Sequence, residues 1–143
     1  MKNITKIIIL LLVTGLTVSC ETDYNDYETN RDPVVGLVGG TGGPNINVPV
    51  GGSAEKEVRA FSSVASSQGI TFSVSIASSS EVGAASVSFP ATITIPANER
   101  EVMFVVTVND VNLTTEIQDL DLVVTSTDEI VSGTPISFNV KQQ

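Results

Sequence analysis

Apolar and polar residues alternate one by one along much of this chain. Ile70, Phe72, Val74 and Ile76 would point one way from an extended backbone, and Thr71, Ser73 and Ser75 the other. The same rhythm sets Val87 and Phe89 against Ser86 and Ser88, and Ile93 and Ile95 against Thr92 and Thr94. Val102, Phe104, Val106 and Val108 form one stripe, with Met103 and Val105 partly covering the opposite side. Leu120, Leu122 and Val124 oppose Asp119 and Asp121, while Ile136, Phe138 and Val140 oppose Ser137, Asn139 and Lys141. A period of two is the mark of strands with one buried face.

Shorter candidates precede these. Residues 34–38 are an apolar run, and Ile46, Val48 and Val50 alternate around Pro49 as in an edge strand. Glu55, Glu57 and Arg59 give a wet face opposite Lys56, Val58 and Ala60. Turn chemistry separates the runs: Gly39-Gly40-Thr41-Gly42-Gly43-Pro44, Gly51-Gly52, Ser66-Ser67-Gln68-Gly69, Pro96-Ala97-Asn98-Glu99, Thr127-Asp128-Glu129 and Ser132-Gly133. No helical stripe competes over a long window. The pattern predicts an all-β domain over residues 34–143, an immunoglobulin-like antiparallel β-sandwich of about seven to eight strands.

The first 33 residues follow other rules. Residues 1–6 carry two lysines and no acid, and Ile7, Ile8, Ile9, Leu10, Leu11, Leu12 and Val13 are an unbroken apolar run. Small residues then lead to Cys20, so residues 1–19 are expected to be a signal peptide. Its apolar stretch of about twelve residues is short of the ~20 a membrane-spanning helix needs. Leu16-Thr17-Val18-Ser19-Cys20 looks like a lipobox, although Thr17 stands where that motif prefers leucine. The resemblance implies cleavage before Cys20 and a diacylglyceryl group on its thiol. Each buried CH₂ contributes ~0.8 kcal/mol, so two or three acyl chains would hold the protein to a membrane.

Glu21, Asp23, Asp26 and Glu28 then place four acids in eight residues, with no base and no hydrophobic period. Residues 20–33 are therefore expected to be a flexible acidic tether. The acids also resemble the export signal of surface lipoproteins of the Bacteroidota. That resemblance implies the outer membrane with the domain facing the cell exterior; the alternative is a plain linker facing the periplasm.

Composition removes whole classes of function. The chain has one cysteine and no histidine, so it has no intramolecular disulfide, no Ser-His-Asp arrangement and no ordinary zinc ligand set. An enzyme is not expected. The formal net charge is -9. Without Lys2 and Lys6 the mature chain stands at five basic against sixteen acidic residues, which disfavours nucleic acid as a partner. There is no tryptophan, and Tyr24 and Tyr27 lie in the tether. Phe61, Phe72, Phe89, Phe104 and Phe138 all lie in strand segments, at least four on core faces, which leaves no aromatic platform for a sugar ring.

Phe89-Pro90-Ala91-Thr92-Ile93-Thr94-Ile95-Pro96-Ala97-Asn98-Glu99, followed by the alternating run 102–108 and Asn109-Asp110, resembles the Calx-beta pattern. Glu116 and Asp119-Leu120-Asp121-Leu122 resemble its next stretch, so the likeness covers residues 85–125. It is similar as well to immunoglobulin-like domains of Bacteroidota surface lipoproteins. Calx-beta domains can bind Ca²⁺ through loop carboxylates, which implies Asp110 and Glu116 as candidate ligands here. Asn109 stands where that family often has a second acid. The expected function is a non-catalytic, lipid-anchored module for adhesion or protein interaction. Two alternatives are a glycan-binding accessory lipoprotein of a polysaccharide-uptake system and a calcium-binding structural module.

Overall fold

The alternating runs fold as strands with their apolar side turned inward. The structure is a computed structural model that describes residues 32–143. The signal, Cys20, and the acids Glu21, Asp23, Asp26 and Glu28 lie outside the described residues. The strands are β1 (Val34–Gly39), β2 (Asn45–Val48), β3 (Ser53–Ser62), β4 (Ile70–Ile76), β5 (Val87–Ser88), β6 (Thr92–Ile95), β7 (Glu101–Asn109), β8 (Gln118–Val124), β9 (Val131–Ser132) and β10 (Ile136–Gln142). A 3₁₀ turn, Ala84–Ser86, leads into β5.

Two five-stranded sheets result. Sheet I has the order β5-β7-β3-β1-β9 and sheet II the order β2-β10-β8-β4-β6. Their inner faces share one core that includes Val35, Val58, Val106, Ile95, Leu120, Leu122 and Phe138. Residues Asp32–Gln143 form a compact unit with this core of their own, the condition for folding independently. The chain is a β-sandwich, as the period-two pattern predicts.

Two details differ from expectation. The described strands number ten: the alternating runs, β5 among them, are all strands, and β9 adds one whose two residues leave little periodic trace; Ser132-Gly133 reads as a turn although Ser132 ends β9. The sandwich is also not wholly antiparallel. β1 pairs with β9 in parallel, Val34 opposite Val131, and β10 pairs with β2 in parallel, Asn139 opposite Asn45. Both exceptions arise because the first extended stretch changes sheet: β1 belongs to sheet I and β2 to sheet II.

The glycine-rich loop between them makes that change possible. The Gly40 N–H donates to Glu57 O at 2.9 Å, and a Cβ on Gly40 would stand 2.5 Å from the same oxygen. Only a residue without a side chain lets the loop approach β3 so closely. Lys56 fastens the loop from below. It lies on the inward face of β3 with Val58 and Ala60 and is 7% exposed. Its Nζ donates to Thr41 O at 3.0 Å and to Gly43 O at 2.5 Å. The alkyl stem is buried while the ammonium satisfies two loop carbonyls.

Candidate functional site

The two outward faces of the sandwich differ in character. On sheet II most outward positions are hydroxyls, amides and acids, several of them bonded to one another, with Val123 and Lys141 as exceptions. Thr71 and Thr94 share a hydrogen bond of 2.9 Å across β4 and β6. Asp121 accepts from Ser79 Oγ and Ser137 Oγ, each at 2.5 Å, and Asn139 Nδ2 donates to Asn45 Oδ1 at 3.1 Å. Those two hydroxyls, Ser137 first, hold the Asp121 carboxyl below the usual carboxylate range. This face is mostly polar and in part internally bonded.

Sheet I presents exposed apolar side chains among its charged ones. Val34, Val38, Phe61, Met103, Val105 and Val131 are six of the ten large apolar residues exposed among the described ones. The strand registers bring them to one side. Phe61 stands opposite Gly36 and Glu101, Arg59 opposite Val38 and Met103, and Glu57 opposite Val105. Residues directly opposite on paired strands share a face. The Phe61 ring covers Gly36 so closely that a Cβ there would lie 2.6 Å from Cζ. Glu57 and Arg59 of the central strand β3 lie between the apolar residues of β7 and those of β1, and Arg59 pairs with Glu101 at 3.3 Å. Both of those side chains are about half exposed, so that pair contributes only about 0–1 kcal/mol. Exposed apolar side chains gathered on one face are the usual mark of a contact surface.

The hollows of the described surface have mixed linings. One of about 380 Å³ lies between β2 and β3 and is lined by Thr41, Asn45, Asn47, Glu55, Lys56 and Glu57, among others. It contains no aromatic ring, so it lacks a stacking platform for a sugar.

Asp110 and Glu116 have different surroundings. Asp110 Oδ2 accepts the Gly51 N–H at 2.7 Å and Gln142 Nε2–H at 2.8 Å. It ties the β2–β3 turn to the last strand, and these two bonds, Gly51 first, hold its carboxyl below the usual range. Glu116 is exposed, and its carbonyl accepts from Thr114 Oγ1 at 3.4 Å. Among the described residues no three or more of His, Cys, Asp and Glu gather where they could hold a metal ion. Ca²⁺ takes six to eight oxygens, so Asp110 and Glu116 do not make a fitting site by themselves.

The depressed carboxyls give a testable pH dependence. A pKa lower in the folded than in the unfolded chain adds stability above the unfolded value of about 3.9, and that stability is lost as pH falls through the folded value. Urea midpoints should therefore fall as the pH is lowered below about 4. Asp110→Asn and Asp121→Asn should each reduce the size of that fall. An unchanged pH profile in both variants would contradict the hydrogen-bonding described.

The alternation along the chain puts Met103 and Val105 on the second side of β7, but it does not bring Phe61, Val34, Val38 and Val131 beside them. The available signal was a strand apolar on both sides; the partners that complete the patch come from distant segments.

No family model and no curated protein matches this chain. Solved structures do resemble it. A multidomain protein including DUF1735 from Bacteroides ovatus superposes with a TM-score of 0.50 at 14% identity, covering 76% of this chain and 44% of that one. This chain thus spans less than half of that protein. A FixG-related protein from Vibrio parahaemolyticus superposes with a TM-score of 0.51 at 8% identity, covering 79% of this chain and 98% of that one. An apo-form Calx CBD1 domain gives a TM-score of 0.43 at 10% identity, covering 76% and 97%. At identities this low the first two superpositions show a shared fold and nothing about ligands.

Proposed function

We propose that this chain is a non-catalytic, lipid-anchored protein of the cell envelope whose β-sandwich serves adhesion or protein interaction. The observation that carries the reading is the contrast between the outward faces: sheet I offers apolar residues to a partner, while sheet II is mostly polar and in part bonded to itself. The sequence before the domain supports the anchor. Cys20 closes a lipobox-like segment, and the acids Glu21, Asp23, Asp26 and Glu28 suit export to the outer face of the outer membrane. The lack of histidine, and a β2–β3 hollow without an aromatic ring among the described residues, support interaction over catalysis or sugar stacking.

The anchor is tested in cells. Cys20→Ala should abolish incorporation of labelled fatty acid and leave the protein as uncleaved precursor or release it from the membrane fraction. Labelling that survives the substitution would remove the anchor from the reading. Protease added to intact cells should digest the wild-type domain; protection until the outer membrane is opened would place it in the periplasm.

A further inference from the structure

Most sheet edges in this domain are short. β5 and β9 have two residues each, β2 has four and meets Pro49, and β6 has four between Pro90 and Pro96. Short edges and flanking prolines are ways in which proteins stop strand addition. β7 is different. It runs for nine residues, but β5 covers only Thr107 and Val108 on its outer side.

The direction of its backbone groups follows from the bonds at its ends. Ser62 N–H donates to Arg100 O at 2.8 Å, and Asp110 N–H donates to Gly52 O at 2.9 Å. The register between them runs without a bulge from Phe61 opposite Glu101 to Ser53 opposite Asn109. Even-numbered residues of β7 therefore turn their N–H and C=O to β3, and odd-numbered ones turn them outward. Thr107 faces β5. The N–H and C=O groups of Glu101, Met103 and Val105 face outward with no partner among the described residues. Met103 and Val105 also contribute exposed apolar side chains, at 49% and 41%.

We infer that the open edge of β7 pairs antiparallel with β7 of a second copy, about a two-fold axis at Met103. This deepens the interaction reading above by naming the partner. The open residues are symmetric about Met103, so Met103 meets Met103 and Glu101 meets Val105 of the other copy. Each such pair exchanges two hydrogen bonds, and every open group of both copies is satisfied. The pairing stops where β5 begins. It joins the two sheets I into one and brings the Met103 and Val105 side chains of both copies together on its outer face. A two-fold contact of one surface with itself is the commonest form of homo-oligomer.

The antiparallel arrangement has a consequence for adhesion. Val35 lies opposite Ser62, whose N–H bonds Arg100, so the chain enters the domain at the Glu101 end of β7. In the pair, the two Asp32 ends point in opposite directions. With the proposed lipid anchor, this geometry suits copies held on facing membranes. The described domain carries twelve acids and four bases, so the pair should tighten as salt screens their repulsion.

The experiment uses the chain from residue 21, which lacks Cys20, so its outcome is independent of the anchor. Sedimentation should show a concentration-dependent dimer that strengthens with salt. Val105→Pro removes one outward N–H per copy and no bond to β3. It should weaken the dimer by roughly 30-fold, two hydrogen bonds being lost per pair, without unfolding the domain. Val105→Lys should also weaken it while keeping every backbone group. Met103→Cys should form a cross-linked dimer on mild oxidation, since hydrogen-bonded partners lie about 5.5 Å apart between Cα atoms, within the roughly 4.4–6.8 Å a disulfide bridges. A chain that stays monomeric up to about 1 mM, a dissociation constant with little cellular use at only ~4 kcal/mol, would overturn the proposal. So would a dimer that withstands both Val105 variants, or a β7 edge protected only when a foreign protein is added.

Discussion

Phe138→Ala is expected to lower the free energy of unfolding by about 3–5 kcal/mol. Phe138 sits in the middle of β10 with Leu120 of β8 opposite, and it is 1% exposed. Its ring crosses the sandwich: a Cβ added at Gly39 in β1 would lie 3.5 Å from Phe138 Cε1. It therefore joins the two sheets as well as filling sheet II. With no disulfide available, this packing has no covalent substitute. Small domains have only about 5–15 kcal/mol of stability in all, so the variant loses a large share of it. Urea unfolding followed by far-ultraviolet circular dichroism measures the loss. Phe61→Ala is the comparison, because Phe61 lies on the outer face of sheet I and is 38% exposed. It should cost about 1 kcal/mol, in line with a partly exposed ring. Equal losses at the two positions would contradict the assignment of inner and outer faces.

Lys56→Ala should be the second most damaging, at about 2–3 kcal/mol. Hydrogen bonds from a charged donor contribute about 1.5–3 kcal/mol each, part of which is offset here by no longer burying an ammonium. The substitution leaves Thr41 O and Gly43 O without their donor and removes an alkyl stem from the inner face. Lys56→Met separates the two contributions, since it keeps most of the stem and removes the charge. If Lys56→Met proves as stable as the wild type, the two carbonyl bonds are not what holds the loop. Amide exchange offers a second readout. The Gly40 N–H, bonded to Glu57 O, should lose protection in Lys56→Ala before the amides of β8 and β10 do.

The sheet-changing loop shows what local pattern does and does not convey. Glycines at 39, 40, 42 and 43 announce a break in the first apolar run. They do not say that the chain resumes in the other sheet. Nor does the alternation around Lys56 show that a cation is needed on the inward side. It places Lys56 opposite the wet residues Glu55 and Glu57, but the two carbonyls that make burial tolerable belong to residues 13 and 15 positions away. Asp110 is similar. It reads as a loop acid near the end of a strand, and the Calx-beta resemblance assigns it to a calcium set with Glu116. In the folded chain its Oδ2 is engaged by Gly51 and Gln142, and among the described residues no three acids gather where they could hold a metal ion.

The sequence by itself determined which side of each long strand is apolar, because successive side chains of an extended backbone point to opposite faces whatever the strand pairs with. Val74, Phe104, Leu120 and Phe138 are inside for that reason, and the β-sandwich follows from enough such strands. The lipid chemistry proposed for Cys20 likewise rests only on neighbours in the chain. Only the tertiary structure decided which strands are adjacent, which edges stay open and which apolar outer residues meet. Val34 beside Val131, or Met103 beside Arg59, is a pairing across 97 or 44 positions, and a backbone hydrogen bond leaves no mark on the identity of the residues it joins. The apolar residues gathered on the outer face of sheet I and the open edge of β7 belong to that second kind of information.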